Sequence, residues 1–118
     1  MFEQLSGGSG KLLGFKISDG ITAEDERKMS RILADAIAEC GKIRILIDIE
    51  GFRHMEIEVL IEKLKFAVDH ASDIERIAVL SDRVWIKSWV QVGGFLTHAE
   101  TRHFYRSETE AAWKWLES

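Results

Sequence analysis

The chain has 118 residues, of which 46% are hydrophobic and 31% are charged, a composition that suits one globular domain over residues 1–118 with no disulfide or metal staple. Its formal net charge of −4 argues against general nucleic-acid binding, which depends on a basic surface. The start of the sequence lacks a signal-peptide pattern, and no run approaches the roughly 18 apolar residues of a membrane span, so we expect a soluble, cytoplasmic protein.

The first predicted elements are a hairpin and a helix. Met1–Leu5 and Lys11–Ile17 flank a glycine-rich turn and are expected to form two short strands. Thr22 is a suitable N-cap for an amphipathic helix whose first turn is acidic, and Gly41 is the predicted C-cap. Cys40, the only cysteine, falls on the apolar stripe of this helix. A disulfide framework is therefore excluded, and a buried, inert thiol is predicted.

The segment Lys42–Phe52, KIRILIDIEGF, is the predicted centre of the fold. Its nearly unbroken aliphatic run is typical of a strand buried on both faces of a parallel sheet. Ligands of open α/β sheets tend to bind at the carboxyl ends of such strands. The candidate residues there are Asp48, Glu50, Phe52, His54 and Asp82. Acid and imidazole side chains could exchange protons there. Capping of the following helices is favoured, because acids ahead of a helix N-terminus cap it and complement its dipole, and no nucleophile accompanies them.

The later part of the chain alternates between helices and strands. Predicted helices run from about His54 to Ala71 and from Arg83 to about Leu96, with strands at Ile77–Leu80 and Thr101–Arg106. Ser107–Glu110 is a predicted capping box that opens a short last helix. The expected fold is α/β, with a mixed, mostly parallel five-stranded sheet, an antiparallel edge formed by the first hairpin, and four flanking helices.

Several blocks of the sequence occur in an order that resembles a known family: ITAED, GKIRILIDIEGF, LKFAVDHASDIERIAVLSDRVWIKSWV and TRHFYRSETEAAWKWL. They resemble the SpoIIAA-like (STAS-like) family of small bacterial proteins, which is named for a sporulation anti-sigma-factor antagonist. This family is also similar in fold to the lipid-binding CRAL-TRIO domains. The resemblance covers nearly the whole chain and implies the same fold.

The functional implications of the resemblance are divided. In true antagonists, a serine at the start of the helix after the central strand is phosphorylated and controls partner binding. No Ser or Thr occurs from Asp48 through Ala71, so the resemblance does not extend to this switch. Resemblance to the lipid-binding relatives implies instead a mobile third helix that opens an apolar pocket and rests on a membrane.

The third predicted helix carries more apolar surface than one-sided packing needs. One stripe contains both tryptophans and the adjacent stripe contains Ile86 and Val90, which leaves mainly Arg83, Lys87 and Gln91 for water. The predicted ligand or membrane contacts are Trp85, Ile86, Trp89, Val90, Val92, Phe95 and Leu96, with a hinge at Gly93 and Gly94. Ordinary core packing with a dimer contact is the alternative interpretation.

Other polar groups give weaker signals. Arg102, His103 and Arg106, near Lys87, are candidates for a basic patch, although a solvated strand edge is favoured. No metal site or cofactor is predicted, because one cysteine cannot complete the motif that a zinc deaminase requires. We therefore expect a non-enzymatic module that binds a small apolar molecule or lipid and associates reversibly with membranes. The alternative is a partner-switching module or a homodimer without the serine switch.

Overall fold

The structure is a computed structural model that describes residues 2–5, 10–18, 20, 22–50, 72–93 and 99–118. Within these ranges, the strands are β1 (Phe2–Leu5), β2 (Leu12–Ile17), β3 (Ile43–Ile49), β4 (Ile74–Leu80) and β5 (Glu100–Phe104). The α-helices are α1 (Ala23–Cys40), α2 (Val84–Gly93) and α3 (Thr109–Glu117), and a 3₁₀ turn, Arg106–Glu108, leads into α3. The helix predicted from about His54 to Ala71 lies outside the described residues.

The described strands form one five-stranded sheet in the order β1-β2-β3-β4-β5. β1 pairs antiparallel with β2, and each later pair is parallel. This confirms the predicted α/β fold, with its mostly parallel sheet and antiparallel first hairpin. β3 lies at the centre of the sheet, and five of its aliphatic residues are buried. The carboxyl ends of β2, β3, β4 and β5 therefore meet at one edge of the sheet.

The start of α1 follows from its sequence. The Thr22 side-chain oxygen accepts a hydrogen bond from the Asp25 amide at 3.1 Å, and an Asp25 carboxylate oxygen accepts one from the Thr22 amide at 3.2 Å. This reciprocal pair satisfies two amides that a helix N-terminus would otherwise leave unpaired. At the other end, Gly41 adopts a positive φ of 84° and its amide donates to the Ile37 carbonyl.

Two apolar clusters fill the two faces of the sheet. The larger cluster packs α1 and α2 against the sheet through Met29, Leu33, Ile86 and Val90. The smaller cluster packs α3 against the opposite face, where Ala112 and Leu116 are fully buried. Alternation of side chains along β3 divides its residues between the clusters, so that strand is covered on both faces.

Arginines on two neighbouring strands hold the end of α3. Arg44 donates a hydrogen bond to the Leu116 carbonyl, and Arg76 donates one to the Trp115 carbonyl at 2.6 Å. The Arg76 guanidinium also lies 5.1 Å from the centroid of the Trp115 ring. The last carbonyls of a helix lack partners within the helix and carry partial negative charge, so positive side chains stabilise this end.

Cys40 is exposed, and the prediction of a buried thiol is wrong. Along the apolar stripe of α1, Met29 and Leu33 are buried, Ile37 is half-buried, and Cys40 is accessible. The cysteine occupies the last position of the helix, where the stripe has run past its buried turns.

The connection between β5 and α3 also differs from the prediction. β5 ends at Phe104, and Arg106 lies in the 3₁₀ turn because its amide donates to an Asp82 carboxylate oxygen at 3.0 Å. The predicted Ser107–Glu110 capping box does not form, since α3 starts at Thr109 and its N-cap, Glu108, makes no capping bond through its side chain. The Glu108 carboxylate instead accepts from the Tyr105 amide at 2.8 Å.

Candidate functional site

The inward side of α2 belongs to the core. Ile86 and Val90 are spaced one helical turn apart and are 1% and 7% exposed. They pack in the larger apolar cluster with the sheet and α1. These two residues were predicted as ligand or membrane contacts, and the structure places them in the hydrophobic core. Their burial fixes which side of α2 faces outward.

The two exposed positions described in α2 carry no charge. Val84 is 74% exposed, whereas Tyr105, the other large hydrophobic residue exposed in the described part of the chain, is 42% exposed. Ser88, one turn later, is also exposed. α1 packs against the same face of the sheet, yet its exposed positions include Glu24, Arg27, Lys28, Arg31, Asp35 and Glu39. A solvated helix usually carries charged residues on its outer side, as α1 does, and neither exposed position described in α2 is charged.

The other predicted contacts of this helix have side chains, or whole residues, outside the described part of the structure. The backbone of α2 includes Trp85, Trp89, Val92 and Gly93, but their side chains lie outside the described part of the structure. Gly94, Phe95 and Leu96 lie outside the described residues altogether. The assignment of these residues as contacts or hinges therefore remains a prediction. In the sequence, Trp85 lies between the exposed Val84 and the buried Ile86, and Trp89 lies between the exposed Ser88 and the buried Val90.

One flank of α2 contacts the end of β5. The Lys87 ammonium lies 5.8 Å from the centroid of the Tyr105 ring, which is 42% exposed. The His103 and Tyr105 rings meet edge to face at 5.1 Å. His103 Nε2 lies 2.7 Å from the Ser81 carbonyl oxygen, which requires that this nitrogen donates the hydrogen bond. Aromatic and cationic contacts thus connect α2 to β5.

Arg106 connects two acidic residues at the carboxyl edge of the sheet. Its Nε donates to Asp48 Oδ1 at 2.8 Å and a terminal nitrogen donates to Asp48 Oδ2 at 3.5 Å. Its backbone amide binds Asp82, as described above. The guanidinium joins the end of β3 to the turn before α3, across 58 residues of sequence. The Asp48 side chain is 16% exposed, so this ion pair is partly shielded from solvent.

The surroundings raise the pKa of Arg106 above its ordinary value. The hydrogen bond to Asp48 is the main cause, burial opposes it, and the negative charges of Asp48, Glu50 and Asp82 add to the rise. Because the folded chain holds the arginine proton more tightly than the unfolded chain does, this stabilisation is lost as the pH rises into strong alkali. Glu50 itself pairs with Lys16 at 3.2 Å.

The predicted strand-end residues therefore have identifiable partners. Asp48, Glu50 and Asp82 lie at the same edge of the sheet and bind Arg106 or Lys16. Asp82 was expected to cap the following helix; at that helix start, the Ser81 hydroxyl oxygen accepts from the Arg83 amide at 3.2 Å. Phe52 and His54 lie outside the described residues.

The predicted basic patch is not assembled. Arg106 is bound to Asp48, while Arg102 stacks over Phe104, with its guanidinium carbon 5.1 Å from the ring centroid. Phe104 belongs to the smaller apolar cluster, whereas α2 packs in the larger one, so Arg102 and Lys87 lie on opposite faces of the sheet.

The described residues contain neither a cluster arranged to hold a metal ion nor a helix able to cross a membrane. No group of three or more His, Cys, Asp or Glu side chains in those residues is arranged to hold a metal ion. None of the helices in the described ranges combines the length and apolarity needed to cross a bilayer. A shallow, open depression over the start of α3 is lined by Ser107, Glu108, Thr109, Glu110, Ala111 and Lys114.

A family model described as SpoIIAA-like matches residues 12–117. The chain belongs to the SpoIIAA-like family. Its fold also matches the crystal structure of an uncharacterized protein with a SpoIIAA-like fold from Shewanella loihica PV-4. The two share 24% sequence identity, the TM-score is 0.69, and the match covers 98% of this chain and 93% of the other. This likeness supports the fold alone. A comparison with curated proteins finds no match.

Two residues of this SpoIIAA-like domain have roles that the sequence interpretation missed. Val84 was not among the predicted contacts, although its position two residues before Ile86 places it on the opposite side of the helix. Arg106 was assigned to a solvated strand edge, and its pairing with Asp48 depends on how the chain turns after β5. The spacing between Val84 and Ile86 could have indicated the exposure of Val84. No local pattern indicated the ion pair between Arg106 and Asp48, which are 58 residues apart.

Proposed function

We propose that this SpoIIAA-like domain is a non-enzymatic module that attaches reversibly to a membrane surface through α2. The observation that carries the proposal is the 74% exposure of Val84 on a helix whose outward side lacks the charged cover of α1. Membrane-surface helices bury an apolar side in the interfacial region of a bilayer and carry basic residues beside it. In α2 the basic residue is Lys87, with Arg83 immediately before the helix.

The non-enzymatic part of the proposal rests on the strand-end carboxylates. Asp48 lies at the carboxyl end of β3 and Asp82 follows β4, and both bind Arg106; Glu50, directly after β3, pairs with Lys16. A general base must reach the proton that it abstracts, and these carboxylates are committed to holding the turn before α3. Their arrangement supports a structural role.

The test is flotation of the purified domain with vesicles made from a mixture of phosphatidylcholine and phosphatidylglycerol. Val84→Glu should abolish flotation, since it places a charge where the proposal requires apolar contact with lipid. Ala34→Glu on the exposed side of α1 is the matched control and should float as the unmodified protein does. Absence of flotation for the unmodified protein, or equal flotation of both variants, would contradict the proposal.

The same preparation separates this function from the family's alternative, a protein-binding module. Size-exclusion chromatography with light scattering measures whether the domain is a dimer at all concentrations. If that dimer is broken by Val84→Glu and does not float with vesicles, the α2 surface binds a second protein chain. Retention as a monomer together with flotation supports the membrane proposal. Measuring both properties on one sample prevents aggregation from being mistaken for membrane binding.

A further inference from the structure

The charges of α2 and the residue before it are all positive. Residues 83–93 contain Arg83 and Lys87 and no acidic residue. Arg83 is exposed and Lys87 is half-buried, and neither forms an ion pair within the described part of the chain. By contrast, Arg44, Arg76 and Arg106 are each paired with an acid. The positive charge beside α2 therefore remains available to a partner.

These two cations flank the exposed apolar residue. Arg83 directly precedes α2, and its carbonyl accepts a hydrogen bond from the Lys87 amide one turn later. Val84 follows Arg83 directly and lies farther from the sheet, opposite the buried Ile86. A bilayer that contacts Val84 would thus meet both cations at the depth of the lipid headgroups. Asp82, the acid next to Arg83, already accepts a hydrogen bond from the Arg106 amide.

We infer that the α2 surface selects anionic phospholipid, with Arg83 and Lys87 binding the headgroup phosphates. This inference rests on the proposed membrane function and names the lipid class that the site takes. The formal net charge of −4 opposes approach to an anionic surface, so the selectivity must come from these local cations. Lys87 exchanges its contact with the Tyr105 ring for a phosphate, and Arg83 has no ion pair with another described residue that would have to break.

The inference is tested by measuring partition of the full chain onto phosphatidylcholine vesicles and onto vesicles that also contain phosphatidylglycerol. Each basic residue near an anionic bilayer is worth about 1 kcal/mol, or about fivefold in partition, so Arg83→Gln with Lys87→Gln should weaken binding to anionic vesicles about 25-fold. Arg27→Gln with Arg31→Gln removes the same charge at the same spacing from exposed positions of α1 and should leave binding unchanged. Arg83→Lys with Lys87→Arg keeps the charge and should keep the affinity.

A measurement on the unmodified protein makes the test independent of whether the variants fold. Raising NaCl from about 0.05 M to about 0.5 M shortens the screening length and should release the protein from anionic vesicles. Equal partition onto neutral and anionic vesicles, or insensitivity to salt, overturns the inference and leaves the proposed function standing. Failure to bind either vesicle overturns both. Equal weakening by the α1 and α2 charge variants also overturns the inference, since net charge alone would then explain it.

Discussion

Gly14 in β2 provides a stringent test of packing on the face covered by α3. A Cβ at this position would lie 2.8 Å and 2.9 Å from Cη2 and Cζ2 of Trp113, and 3.1 Å from Cβ of Leu5. Carbon atoms prefer separations of about 3.5–4.0 Å, so the Trp113 ring would have to move by roughly 0.7 Å. Gly14 therefore serves the close approach of the indole to the strand.

Two opposing free-energy contributions set the effect of Gly14→Ala. Alanine loses less conformational entropy on folding than glycine, which stabilises a strand by about 0.5–1 kcal/mol. Overpacking a filled site costs about 1–3 kcal/mol. The second contribution should win, because the nearest atoms belong to a ring that packs against the smaller apolar cluster. We expect a net loss of up to about 2.5 kcal/mol in the free energy of unfolding.

Urea unfolding followed by far-UV circular dichroism measures this loss, and a second background isolates its cause. In Trp113→Leu the ring atoms that crowd Gly14 are absent, so Gly14→Ala should there be neutral or stabilising by up to about 1 kcal/mol. The sign of the substitution is thus predicted to change between the two backgrounds. An equal loss in both would refute the assignment of the clash to the indole.

Three further substitutions or reactions test other parts of the fold. Arg106→Gln should lower the free energy of unfolding by about 1–3 kcal/mol because it leaves the partly shielded Asp48 without its cation, and adding Asp48→Asn should recover part of the loss in the same urea assay. Thr22→Ala should cost about 1 kcal/mol through loss of the α1 cap, measured by thermal unfolding; an unchanged midpoint would contradict the capping role. Cys40 should react with a thiol reagent in the native state within about tenfold of its rate in urea, whereas strong native protection would contradict its exposure.

The sheet could be predicted from sequence because its signals are local. The aliphatic run of β3 is too short for a helix and too apolar for a half-solvated strand, and the structure confirms that it is central and buried. The hydroxyl of Thr22 followed by acids located the start of α1, and Gly41 located its end. Each of these features depends on residues within one turn or strand of one another.

The errors arose where distant parts of the chain meet. Cys40 has the right helical phase for burial, but burial also depends on how far the packed turns extend along α1. Arg106 left the expected strand because Asp82, 24 residues earlier, accepts its amide hydrogen bond. The periodicity of the Arg83 to Leu96 segment correctly indicated a helix, which the structure describes over Val84–Gly93, yet it could not show that Ile86 and Val90 would pack in the core and Val84 would be exposed.

The central claim is that α2 meets lipid through its outward side, and an environment-sensitive fluorophore at Val84 tests it most directly. Cys40→Ser with Val84→Cys provides a single attachment site for the dye NBD, and Ala34→Cys in the same background provides the control on α1. We expect anionic vesicles to raise and blue-shift the emission from residue 84, brominated lipid chains to quench it, and the dye at residue 34 to respond to neither. Vesicle binding without any change at residue 84, or equal changes at both sites, would contradict the claim.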